Sequence, residues 1–285
     1  FTLTNCKEEG SIKHVDKNYG VGIYNETTGD FNMYNGNISN NDGGVMNFGT
    51  FRMFGGTISG NSTNGGGGVY IHQQGTFLMY GGLISGNTAN YGGGVYNSNI
   101  FTMSGGTITD NQSVEGGGVY NEPVFSSEIK MSNQAEISKN TATSKGGGVF
   151  VSANDATTLS AAVKITENKA GNTANNLYLS SNTTLQAEYL NGSKAIVGVT
   201  TEEEPTENSP VTITSDDARP QGFRSDRDEY ELEYSNRHVV MKKKKTCKVT
   251  VFLPQDGSVI KQPESGELEQ TVIKGSKIVP IVLEA

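Results

Sequence analysis

Cysteine, histidine and long apolar stretches are scarce in this chain, and each scarcity removes a class of explanation. There are 2 cysteines in 285 residues. Cys6 and Cys247 sit at opposite ends of a repeated region. Seven or so stacked coils at about 4.8 Å each would hold them about 35 Å apart, far beyond disulfide reach. The expected state is two unpaired thiols, with stability coming from stacking. The three histidines, His14, His72 and His238, are scattered. No Cys/His spacing suits a metal, so no metal site is expected. No apolar run is long enough to span a bilayer, and no signal-peptide pattern is present. Basic residues are outnumbered, 22 Lys+Arg against 30 Asp+Glu, for a net charge of −8. That balance argues against nucleic acid and anionic membranes as partners. Hydrophobic residues make up only 34%, which suits a narrow core better than a compact globule.

What the chain has instead is repetition. A block reading GGGVYN, then FTMSGGTI, then Asn, recurs along the first two-thirds and is clearest from Gly92 to Asn111. One aliphatic column reads Ile23, Val45, Val69, Val95, Val119, Val149 and Leu177, at spacings of 22 to 30 residues. A second reads Met33, Met53, Met79, Met103, Met131 and Leu159, with Phe31, Phe51, Phe77 and Phe101, then Ile129, two residues earlier. A third reads Ile38, Ile58, Ile84, Ile108, Ile137 and Ile165. Three short segments per copy, each alternating with period 2, read as three strands. Copies of this length cannot bury an apolar face alone and must stack.

The expected fold is therefore all-β: a right-handed, single-stranded parallel β-helix of about 7–8 coils, three strands per coil, ending in a small β-rich C-terminal segment. Helical repeats are excluded, because this much Gly, Asn and Thr makes poor helix. Gly55-Gly56, Gly81-Gly82 and Gly105-Gly106 fall between the second and third strands, where a positive φ is expected. Asn35-Gly36 stands in for the pair in one copy, while Asn133-Gln134-Ala135 and Ala161-Ala162 predict a wider corner in later ones. Asn41, Asn61, Asn87, Asn111, Asn140 and Asn168 recur three residues after the Ile column and read as a hydrogen-bonded corner ladder.

The repeat fades after Leu177, with one further coil through Leu185 and Ala195-Ile196-Val197. The organisation expected is 1–200 as β-helix repeats, 201–245 as a cap over the last apolar layer, and 246–285 as the start of a small β-rich module. Lys242 to Lys245 reads as a solvated junction. Phe1-Thr2-Leu3-Thr4 reads as a partial repeat, and the final apolar run is Ile278 to Leu283. Both ends are thus expected to continue into a larger polypeptide.

Polysaccharide-cleaving chemistry on such a fold needs acids and bases clustered on neighbouring coils. Glu26 and Glu122 occupy matching positions but lie four coils, or roughly 19 Å, apart. Asp110, Lys139 and Glu167 are the better candidates, each two residues after the Ile column on successive coils. That spacing sets the two carboxylates about 10 Å apart with the lysine between, and a surface ion-pair ladder is the preferred reading. The glycine runs are not phosphate loops, since GxxxxGK[ST] is absent, and no cofactor is expected. The outward positions beside the first aliphatic column hold Tyr24, Met46, Tyr70, Tyr96, Tyr120, Phe150 and Tyr178. A second aromatic set is Tyr34, Phe54 and Tyr80, followed by Ser104. Such columns are platforms for sugar rings or a partner, or simply rings that stack.

The segments GGGVYN, FTMSGGTI and ISGN, with Ala195 to Glu202 closing the array, resemble the large repetitive, adhesin-like surface proteins of gut Gram-positive bacteria. Those belong to the pectin-lyase-like right-handed β-helix superfamily. The resemblance covers roughly residues 1–240. It implies export and display on the bacterial cell wall, outside the cell and without direct membrane contact. The expected function is a non-catalytic adhesin or stalk segment, binding carbohydrate or host glycoprotein through Tyr24, Tyr70, Tyr96, Tyr120 and Tyr178. The alternatives are a polysaccharide lyase or glycoside hydrolase working through Asp110, Lys139 and Glu167, and a pure spacer.

Overall fold

The computed structural model describes residues 2–3, 11–12, 20–122, 127–152, 156–190, 194–252 and 267–273. Cys6, His14 and the Ile278–Leu283 run lie outside them, as does the side chain of Cys247. The described chain is all-β, without a helix, and forms a parallel β-solenoid of about seven turns. The second-column strands make one eight-stranded parallel sheet, from Thr2–Leu3 to Gln186–Leu190. The third and first columns make two further parallel stacks. Pairing is in register: Val69 faces Val95, Phe77 faces Phe101, and Ile84 faces Ile108.

Alternation decides what is buried. In the strand Ile100–Met103, Phe101 and Met103 point inward and are fully buried, while Ile100 and Thr102 face outward. The core phenylalanines Phe31, Phe51, Phe77 and Phe101 stack at 4.8, 4.6 and 5.2 Å between ring centroids. Each copy places its ring on the ring of the coil before. The spacing between parallel strands and the stacking distance of aromatic rings coincide.

The glycine triplet has two separate causes. The first member takes a positive φ, as at Gly92 (62°) and Gly116 (64°), where L side chains are strained. The second and third lie against the backbone of the next coil. A Cβ on Gly93 would stand 2.5 Å from the Gln112 carbonyl oxygen, and one on Gly94 2.5 Å from that of Gly118. In the second-to-third corner the left-handed residue is the second of each pair, Gly56, Gly82 and Gly106, or Gly36 after Asn35. From Met131 to Ile137 the corner holds one residue more than from Met103 to Ile108, and the positive φ moves to Asn133 and, one coil on, to Ala161.

The corner between the third and first columns is built on asparagine. Asn61 Oδ1 accepts from both the backbone N–H (3.0 Å) and the Nδ2 (2.9 Å) of Asn41. Asn61 Nδ2 donates to the Ile38 carbonyl (3.0 Å) and to Asn87 Oδ1 (2.9 Å). The same set repeats through Asn87, Asn111, Asn140 and Asn168. These side chains are buried at 0–4% exposure, yet both lone pairs and both amide hydrogens are used. A second, inner run pairs Asn25 with Asn47 and Asn97 with Asn121. Ile71 interrupts it, and where Val151 follows, Asn121 Nδ2 has no partner among the described residues.

The long ladder ends on an acid. After Asn168 the chain doubles back, with Lys169–Ala170 antiparallel to Thr173–Ala174, and Asn176 takes the next rung. Asp226 then accepts from the Asn176 backbone N–H (2.7 Å) and side chain, and from Thr200 Oγ1 (2.8 Å). A carboxylate has only acceptors, so it closes a ladder that donates in one direction. Burial pushes the Asp226 carboxyl up, opposed by those hydrogen bonds. In this last coil Ile196–Thr201 runs straight across the corner, pairing with Lys164–Thr166 at one end and Leu177–Leu179 at the other. Phe223–Ser225 adds to it in parallel. Beyond lies an antiparallel sheet of Val211–Thr212, His238–Lys243 and Tyr230–Ser235. Ile213, Phe223, Tyr230, Val239 and Met241 continue the solenoid core. Lys242 pairs with Glu233, Lys245 with Glu207, and Lys244 donates to the Asp228 carbonyl. Thr246–Phe252 and Glu267–Ile273 form an antiparallel pair.

Two outcomes are expected. Asn87→Ala strands the Asn61 amide, the Ile58 carbonyl and half of Asn111 Oδ1, and should cost about 3–5 kcal/mol by urea unfolding. Asn90→Ala, whose side-chain amide donates to exposed Asn64, should cost at most about 0.5 kcal/mol. Asp226→Asn gives up one acceptor oxygen but keeps one that can take both Asn176 donors, as a single amide oxygen does in the other rungs, and it removes the buried charge, so it should be neutral or stabilising at pH 7. Because the folded-state value of Asp226 is raised, protonation favours the fold. The variant's advantage in thermal midpoint should therefore shrink as pH falls through the carboxyl range, and growth of that advantage in acid would contradict the assignment.

Candidate functional site

The acid–base candidates come first. Asp110, Lys139 and Glu167 lie on successive coils, next to the ladder asparagines Asn111, Asn140 and Asn168. All three are exposed and take the left-handed conformation, with φ of 57°, 58° and 61°. Gly60 and Gly86 take the same place in earlier coils, with φ of 65°. Among the described residues no ion pair joins the three, and Asp110 accepts instead from Thr109 Oγ1 at 2.9 Å. Two rungs of about 4.8 Å separate the two carboxylates, about the outer limit of a glycosidase pair. Glu26 is exposed and Glu122 half-buried, four coils apart. Among the described residues no group of three His, Cys, Asp or Glu side chains is placed to hold a metal.

The tyrosine column is graded rather than uniform. Tyr24 is 56% exposed and packs on Phe48, not on the column, because Met46 follows it in the register. A continuous stack then runs Tyr70, Tyr96, Tyr120, Phe150 and Tyr178, at 5.1, 5.3, 5.1 and 5.7 Å. Tyr70 and Tyr96 are half-buried, whereas Tyr120, Phe150 and Tyr178 are 6–8% exposed. The expected outward display is thus met in the N-terminal half of the column and covered in the C-terminal half.

The cover is a fourth strand column that the three-strand pattern did not contain. Gln112–Glu115 and Thr141–Lys145 pair in parallel across the corner, and isolated bridges extend the pairing back to Thr88, Tyr91 and Gly65. In register this column reads Gly65, Tyr91, Glu115, Lys145. Two of these side chains, Tyr91 and Lys145, lean toward the ring one coil on. Tyr91 sits against Tyr120 at 5.1 Å and 50°, and Lys145 Nζ stands 5.2 Å over Tyr178. Lys145 also bonds Glu202 at 2.6 Å. That contact, with the Ser181 N–H, holds the Glu202 carboxyl down to about 2, while burial pushes the Tyr178 phenol up. At Gly65 no side chain exists to cover Tyr96. The clue in the sequence was the one residue before each GGG run, which changes from Gly to Tyr to Glu to Lys.

Two other surfaces compete. Tyr34, Phe54 and Tyr80 are 40–48% exposed and stack nearly flat, at 4.7 and 5.0 Å. Their faces are largely taken by one another, so a ligand there meets a ribbon of ring edges. A groove of about 640 Å³ opens at the wider corner, bordered by Gln134, Glu136, Lys164 and Lys194. Among the described residues that line it are charges of both signs and no aromatic ring.

The left-handed corner gives a direct check on the acid–base candidates. Lys139→Gly and Glu167→Gly relieve a conformation that disfavours L side chains by about 1–2 kcal/mol, partly offset by the greater freedom of glycine when unfolded. Each should raise stability by about 0.5–1 kcal/mol in chemical denaturation. A loss of stability would mean that these side chains make contacts the fold needs. No family model, curated protein or solved structure matches the chain.

Proposed function

We propose that this chain is a rigid, non-catalytic segment of a bacterial cell-surface adhesin, displayed outside the cell and carrying a carbohydrate-binding face. One observation carries the non-catalytic part. The three best acid–base candidates stand on an exposed outer corner, unpaired with one another, at positions where earlier coils carry glycine. A catalytic pair needs convergence on one bond and control of protonation by its surroundings. These side chains occupy a line along the solenoid axis instead. Rigidity is supported by the fully bonded asparagine ladder, and the surface role by the repeat resemblance to adhesin-like proteins. The binding face is the part of the tyrosine column that reaches solvent, Tyr70 and Tyr96, with exposed Tyr24 beyond it.

The test pairs retention with cleavage. The purified chain is passed over immobilised neutral and acidic polysaccharides, and the soluble phase is assayed for new reducing ends and unsaturated products. Retention without product is expected. Product that disappears in Asp110→Asn or Glu167→Gln would establish a polysaccharide-cleaving enzyme. Neither retention nor product on any polymer would leave the chain a spacer.

A further inference from the structure

We propose that the gap left by Gly65 is a binding site for one neutral hexose ring of a glycan chain. The inference rests on the carbohydrate-binding reading and locates it. In the fourth strand column Tyr91 lies against Tyr120 and Lys145 over Tyr178, and both of those rings are buried. Gly65 brings no side chain. Its Cβ position lies 3.4 Å from Tyr96 Cδ2 and 3.8 Å from Tyr70 Cδ2, so the missing side chain would have run along the edges of these two rings. The opening therefore has the position that the Tyr91 ring occupies one coil later, where it rests against Tyr120.

The chemistry around the gap suits a sugar. Tyr70 and Tyr96 stack at 18°, so they offer their edges and phenol groups rather than their faces. Aromatic edges carry partial positive charge and complement electron-rich oxygens. The Glu122 carboxylate stands at the Tyr96 hydroxyl, which donates to it, and accepts hydrogen bonds from hydroxyl groups. Asn64 and Asn90 are exposed beside the gap, with amides that both donate and accept. Hexose hydroxyls both donate and accept, so they match a carboxylate and side-chain amides alike. An acidic sugar would meet Glu122 on a chain of net charge −8, so a neutral one is favoured.

Gly65 has an ordinary φ, and an added Cβ meets only ring carbons at van der Waals distance. Gly65→Tyr should therefore fold, raise the thermal midpoint by burying Tyr96, and close the site. Binding is measured by titrating neutral hexose and N-acetylhexosamine oligosaccharides, with sialylated counterparts alongside. The readout is tyrosine fluorescence, which the absence of tryptophan leaves unmasked. Wild type is expected to bind the neutral set more tightly than the sialylated one, and Gly65→Tyr to lose at least 10-fold in affinity. Tyr96→Phe, which keeps the stack and removes the hydroxyl, should also bind more weakly. Undiminished binding by a folded Gly65→Tyr overturns this site while leaving the carbohydrate reading standing. Absence of glycan binding by wild type overturns both. Binding of N-acetyltyrosinamide in place of the sugars, lost in Gly65→Tyr, overturns the sugar assignment in favour of an aromatic peptide.

Discussion

A buried side-chain amide that uses every hydrogen-bonding group it has is the constraint on which this solenoid depends. At each turn of the third-to-first corner the backbone leaves the strand ladder, and an N–H and a carbonyl would otherwise be stranded inside. Asparagine meets both needs. Its oxygen takes the backbone and side-chain donors of the previous coil, and its nitrogen gives to the carbonyl of the Ile column and to the next rung. Aspartate lacks the donors, and serine has too few groups to complete the set. Because both partners of each bond lie on different coils, a rung forms only when its neighbours are in place. Register, spacing and directionality follow from it. The core phenylalanines and methionines then stack at whatever separation the rungs impose.

The same geometry explains how the outer surface is specified. Once the coils are locked about 4.8 Å apart, like residues must stack, and aromatic columns arise wherever a ring is copied. What distinguishes one part of a column from another is the residue that crosses over it. Tyr91, Glu115 and Lys145 belong to that crossing column, and Tyr120, Phe150 and Tyr178 are buried beneath it. Gly65 leaves Tyr96 open. In a structure built from near-identical units, the informative position is one that fails to repeat.

This also marks where the sequence was readable and where it was not. The Val, Phe, Met and Ile columns and the asparagine ladder are strict repeats, and the coil architecture follows from their spacing. The inner asparagines were readable in principle, since Val95-Tyr96-Asn97 alternates and must send Asn97 inward with Val95. The acid at the ladder's end was not, because Asp226 lies 50 residues from the Asn176 rung it closes. The fourth strand column was not legible because its covering residue changes chemical type from coil to coil, from Gly65 to Tyr91, Glu115 and Lys145. The tyrosine column was correctly identified as facing away from the core, but its exposure depends on that variable residue and on no local pattern. Asp110, Lys139 and Glu167 align in one column, and their shared left-handed backbone was readable from that column rather than from Lys139 and Glu167 themselves, because Asn40, Gly60 and Gly86 hold the same place in earlier coils.

Hydrogen exchange tests the asparagine ladder most directly. The backbone amides of Asn61, Asn87, Asn111 and Asn140, although they lie at a corner outside the strands, should exchange as slowly as those of Val69, Val95 and Val119 within them, because all are locked into one cooperative stack. Exchange of the asparagine amides at loop-like rates, with protection confined to the valine positions, would contradict it.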